Sequence, residues 1–115
     1  MGDANIQRIY ENNIEGFDGL SIDNISKDIF LDILEKGKDI WNDWRRGNLD
    51  DKPSLKGMDI SDRDLSGLNF IKADFSNANL SGCILSDCDL RGCVLKGADM
   101  RNTVLSRADL RLVAL

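Results

Sequence analysis

Three cysteines are the most reactive side chains of this chain, and they are evenly spaced. Cys83, Cys88 and Cys93 form a C-x4-C-x4-C series. Such a series invites a metal reading. Zinc sites, however, normally pair cysteines about two to four residues apart and add further ligands. The spacing here is wider, and the chain has no histidine. Buried thiols acting as small hydrophobes are the better reading. The second candidate chemistry is acid–base. Asp59, Asp64, Asp74, Asp89, Asp99 and Asp109 recur at a regular interval. Proton transfer needs a positioned partner in a cleft, and no histidine partner or glycine-rich phosphate loop accompanies them. The sequence therefore assigns no catalytic residue, no cofactor site and no metal ligand, and the chain reads as non-enzymatic.

What must position these residues is a period of five. From Pro53 every fifth residue is large and apolar: Leu55, Ile60, Leu65, Phe70, Phe75, Leu80, Leu85, Leu90, Leu95, Met100, Leu105, Leu110 and Leu115. On an α-helix that period steps about 140° each time and draws no stripe. On a flat strand it sends successive residues to opposite faces. A chain that bends once per repeat turns every centre toward one axis, which is a solenoid coil. The slot two before the centre holds small residues, among them Ala73, Ala78 and the three cysteines, as the remaining interior volume demands. The slot one before suits turns and solvent, and the slot two after is often glycine, where a corner needs a permissive backbone.

The frames ADFSN, ANLSG, CDLRG, ADMRN and ADLRL resemble the pentapeptide-repeat proteins. The resemblance covers just over half the chain. It implies an all-β solenoid, a right-handed quadrilateral β-helix of about three coils, in which residues twenty apart stack at roughly 4.8 Å. The expected division is residues 1–52 as helical cap and linker and residues 53–115 as β-helix.

Residues 1–24 read as loop with a helical turn. Residues 25–46 carry apolar residues at helical spacing, with Ser26 as N-cap and Gly47 as stop. Gly37 either splits this segment into two helices or admits a close backbone. The stretch around WNDWRR is similar to the helix that precedes the repeats in many family members. A coil end exposes apolar centres and must be covered. Ile40, Trp41 and Trp44 are therefore expected to pack on the first coil as a lid, each tryptophan burying roughly 200 Å².

Departures from the repeat mark other expectations. Arg63 and Leu68 stand in the small interior slot, and Arg63 is expected to turn toward the lid and meet carbonyls or an acidic group. Ile84 and Val104, twenty apart, should stack as an exposed aliphatic pair, a possible contact surface. Asp87 should pair with Arg107, and Arg91 should stack with Arg111. At the other end Leu105, Leu110, Val113 and Leu115 should be uncovered, and the resemblance implies a homodimer through this last coil. The alternative is that Leu112 and Val113 plug it.

Residues 1–52 hold twelve acidic and seven basic residues, and residues 53–115 hold eight of each. Some family members are thought to mimic DNA and regulate DNA gyrase. A mimic needs a strongly negative face, and this repeat region is neutral. The leading expectation is thus a scaffold or protein-interaction module with an unknown protein partner, and gyrase regulation is the alternative. No basic excess points to nucleic acid. No apolar run approaches membrane-spanning length and no signal peptide is apparent, so a cytoplasmic setting is expected.

Overall fold

The computed structural model describes residues 27–115; the expectations for residues 1–24 and for Ser26 lie outside them. Two helices come first, α1 (Lys27–Lys36) and α2 (Lys38–Arg46). Gly37 divides them at φ 130, a backbone region that few residues other than glycine enter. Its N–H donates to the Ile33 and Leu34 carbonyls, which closes α1. A Cβ placed there would meet nothing within 4 Å, so this glycine serves the break and not a close approach.

From Pro53 the chain winds. Nine parallel bridges run from Ser54 with Asp74 to Val94 with Ala114, each joining residues twenty apart. One residue per repeat is bridged, because a turn follows every centre. The aspartates expected in those turns stand instead on the bridged residues just before the centre. Their carboxylates start the turn: Asp64 accepts the Ser66 N–H at 3.0 Å, and Asp74 accepts that of Ser76 at 2.9 Å.

The bend itself lies two residues after each centre. Every such position from Gly57 to Leu112 has a left-handed backbone, with φ between 58 and 75. Glycine fills only some of them. Asp62, Asn77, Asp87 and Asn102 tolerate the conformation, whereas Lys72, Arg107 and Leu112 adopt it against preference. Coil geometry, not residue type, therefore sets the corner. Glycine is needed where two corners crowd: a Cβ on Gly82 would lie 2.1 Å from Asp62 Oδ1.

The core runs down the axis. Centres from Leu55 to Leu90 are fully buried, with Leu68, Ala73, Cys83, Cys88 and Cys93 beside them. Exposure then rises toward the last turn, to 42% at Leu110 and 88% at Leu115. Replacing Leu85 by Ala should leave a cavity and cost about 2–5 kcal/mol. Replacing its outward neighbour Ser86 by Ala should cost less than about 0.5 kcal/mol. Urea denaturation of the two variants checks the register, and equal losses would show it to be misplaced.

Candidate functional site

Three surfaces carry the side chains that sequence singled out. The first lies between α2 and the start of the winding. Lys38, Trp41, Asn42 and Arg45 fall three and four residues apart, on one face of the helix. All four reach backbone. Lys38 Nζ donates to the Ser66 carbonyl at 3.0 Å and pairs with Asp64 at 3.1 Å. Trp41 Nε1 donates to the Asn69 carbonyl at 2.8 Å. Asn42 accepts the Asn69 N–H at 2.8 Å and donates to the Gly67 carbonyl at 3.0 Å. Arg45 donates to the carbonyls of Asn48, Asp51 and Ile71.

The regular turns show what these bonds replace. One turn further on, Asp89 N–H donates to Leu68 O, Asp89 O accepts from Phe70 N–H, and Arg91 O accepts from Lys72 N–H. Asn69 and Ile71 hold the same places one turn earlier. Their groups are met by Asn42, Trp41 and Arg45 instead of by backbone. Under this polar layer sits an aromatic chain. Trp41 packs edge-on against Phe30 and Trp44, and both Phe30 and Trp41 lean on Phe70, which meets Phe75. Trp41 is fully buried and Ile40 nearly so, while Trp44 is half-buried.

Here one expectation is corrected. Arg63 is exposed rather than buried among carbonyls, and it lines a shallow hollow beside Leu31, Leu34 and Glu35 of α1. The arginine buried among carbonyls is Arg45, with no exposed surface. A guanidinium is costly to bury unless its donors are met, and Arg45 has carbonyls on both sides. From position 63 the side chain reaches water more cheaply. In sequence Arg45 is simply one of two basic residues in the last turn of α2, with nothing to mark it as interior.

The second surface is the outer wall. Ile84 and Val104 are bridged to each other and are 40% and 42% exposed. Asp87 and Arg107 pair at 2.7 Å across two turns, both well exposed, a contact of small value. Arg91 and Arg111 are separated by Asp109, which Arg111 grips at 2.6 Å and Arg91 approaches at 3.8 Å. The Arg111 guanidinium holds the Asp109 carboxyl down to about 2, and the Ser66 hydroxyl, with Lys38, does the same for Asp64. Carboxylates so firmly ionised are poor proton acceptors.

The third is the hollow of the last turn, about 290 Å³, lined by Leu95, Met100, Leu105, Leu110, Val113 and Leu115. Neither Leu112, which is 89% exposed, nor half-buried Val113 covers it.

The cysteines lie inside the winding. Cys83, Cys88 and Cys93 donate to the carbonyls of Ile60, Leu65 and Phe70 at 2.8–3.0 Å. Thr103, in the same slot, donates likewise to Leu80. Burial pushes the Cys83 thiol up, that of Cys88 to about 11 and that of Cys93 to about 12.

A parallel β-solenoid wound from five-residue repeats is the class these features define. The chain belongs to the pentapeptide-repeat family: residues 54–87 and 83–114 match pentapeptide repeats, in eight copies. It is similar to a pentapeptide repeat protein, Rfr23, from the cyanobacterium Cyanothece 51142. The two are 31% identical, with a TM-score of 0.51 over 53% of this chain and 42% of that one. It is also similar to HetL from Nostoc sp. strain PCC 7120, a protein involved in heterocyst differentiation regulation. There the identity is 25% and the TM-score 0.41, over 54% of this chain and 32% of that one. The chain thus matches less than half the length of either protein. No curated protein matches it. The family's fold is a right-handed β-helical solenoid, and its members serve as scaffold or interaction modules.

The thiols give a pH prediction. A folded-state thiol raised above its unfolded value near 9.0 keeps its proton longer than the unfolded chain does. Its contribution is complete below that value and is lost as pH climbs toward about 11 to 12. Stability should therefore fall between about pH 9 and about pH 11 more steeply in the native chain than in a Cys88→Ala/Cys93→Ala variant. Urea midpoints at the two pH values check this, and parallel slopes would refute it.

Proposed function

We propose that this chain is a non-enzymatic scaffold that works through its outer walls. The observation that carries this reading is the filled interior: centres and small-slot residues close the axis, so recognition is left to outward side chains. In finer detail, twenty residues per turn and five per repeat make a four-sided coil of about three turns. The helices α1 and α2 act as its N-terminal cap, as the bonds from α2 to Ser66, Asn69 and Ile71 support. The three free thiols suit a reducing, cytoplasmic setting.

The partner is a protein that meets the Ile84–Val104 wall. A second copy seated on the Leu105, Leu110, Val113 and Leu115 hollow would make the homodimer. Regulation of gyrase by DNA mimicry finds less support. Outward aspartates 87, 89, 99 and 109 are each gripped by an arginine, which cancels the negative field a mimic needs.

The test is affinity capture with the intact chain and with an Ile84→Lys/Val104→Lys variant, read beside a gyrase supercoiling assay. The scaffold reading expects a partner held by the first chain and lost by the second, with supercoiling unchanged. Inhibition of supercoiling at stoichiometric protein would favour mimicry. Light scattering should give a dimer that becomes monomeric on Leu110→Glu/Leu115→Glu; a monomer in both would remove the homodimer.

A further inference from the structure

We propose that α2 leaves half of the first turn's backbone edge open, and that this edge is the docking site for residues 18–26 of the same chain, which add to it as two further repeats and run into α1. The inference concerns how the chain closes its own first turn, and it stands or falls apart from the scaffold reading.

The open edge is read from the backbone. In the second turn the N–H groups of Asp74 and Asn79 donate to the Pro53 and Met58 carbonyls at 2.8 Å, and the carbonyls of Asp74, Ser76, Asn79 and Ser81 accept from the turn before. Their counterparts one turn earlier are the N–H groups of Ser54 and Asp59 and the carbonyls of Ser54, Lys56, Asp59 and Ser61. Among the described residues nothing meets these groups, because the bonds of α2 to backbone begin only at Ser66. Such a row is a strand edge, and an extended backbone is what completes one. The occupant must therefore be an extended peptide that bends at the same five-residue interval.

The chain carries such a peptide. DGLSI at 18–22 and DNISK at 23–27 are consecutive frames of five. Leu20 and Ile25 are their centres, Asn24 precedes one as Asp59 precedes Ile60, and Ser21 and Ser26 follow them. Leu20 and Leu55 are thirty-five residues apart, and so are Ile25 and Ile60, so a single register stacks both pairs. The helices and linker, residues 28–52, then take the place of the other two repeats of that turn. There α2 bonds Ser66, Asn69 and Ile71. Asp18 and Asp23 depart from the small slot, as Pro53, Met58, Arg63 and Leu68 do in the first turn, and Arg63 shows that this slot opens to water near the end.

The position of α1 agrees with this register. The Ser61 hydroxyl and N–H hold the Asp59 carboxyl below its usual value, and the Lys27 charge adds to them, so α1 starts beside Asp59. Every bridge in the winding is parallel. A parallel segment over Leu55 and then Ile60 must end at the Asp59 side, which is where α1 begins. Lys27 opens that helix, so its N–H has no helical partner. In this register it donates to the Ser61 carbonyl, as Gly57 does to Ser76.

Residue-resolved hydrogen exchange on the full chain tests the proposal. The protection factors of Ser54 and Asp59 should exceed that of Asp64 by about tenfold or more, since Asp64 lies beyond the segment and its N–H also has no partner among the described residues. In a Leu20→Asp/Ile25→Asp variant, Ser54 and Asp59 should fall to the level of Asp64 while Asn79 stays protected, which shows the winding intact. Equal protection of Ser54, Asp59 and Asp64 in the native chain, or protection that survives the double substitution, would overturn the site. Protection lost on dilution would assign the edge to a second copy and overturn it too. Ile22 falls on a left-handed corner in this register, a poor place for a β-branched residue. Ile22→Asn should therefore keep both amides protected and hold or raise the melting temperature. A lower melting temperature would refute the register even if the double variant fails to fold.

Discussion

A solenoid's backbone hydrogen bonds run along its axis, so its first turn presents amides and carbonyls with no turn before them. Everything else in this protein depends on how that edge is met. Unmet buried backbone groups cost about as much as a lost hydrogen bond each, and several stand in a row here. One helix face supplies the partners. Lys38, Trp41, Asn42 and Arg45 deliver donors and an acceptor to Ser66, Gly67, Asn69 and Ile71. A helix cannot continue a β-ladder with its own backbone, because its N–H and C=O groups are already used internally. Side chains with the right reach can do so.

Inside the winding the same accounting is repeated on a smaller scale. The small slot admits alanine, but a cysteine or threonine there also offers a proton to a carbonyl of the preceding turn. The three evenly spaced thiols are placed as this slot requires. Their protons are engaged, and burial opposes the thiolate that reactivity requires. With the axis filled and the thiols held, the outer wall is mostly paired charges, interrupted by the exposed Ile84 and Val104.

Much of this was legible in the chain. A period of five admits no ordinary helix or strand, and the size alternation between slots places Leu85 inside and Ser86 outside. The twenty-residue spacing foretold the Asp87–Arg107 pair. On the apolar stripe of α2, Trp41 is fully buried and Trp44 half-buried. The polar half of the helix contact was not legible. Lys38, Asn42 and Arg45 share Trp41's face, yet each looks like an ordinary solvated residue until the carbonyls facing it are known. Arg63 misled because its slot is interior, while its reach lets it escape to water. Glycine, too, marked only some corners. The left-handed conformation is imposed by the coil, so even Lys72, Arg107 and Leu112 adopt it.

The central claim is that α2 stands in for a missing turn, and the amide of Asn69 reports on it directly. Its N–H donates to Asn42 Oδ1, whereas the equivalent N–H of Asp89 donates to backbone. Residue-resolved hydrogen exchange should find both amides protected in the native chain. In an Asn42→Ala variant Asn69 should exchange at the rate of a surface amide while Asp89 stays protected. Fast exchange at Asn69 in the native chain, or continued protection in Asn42→Ala, would contradict the account.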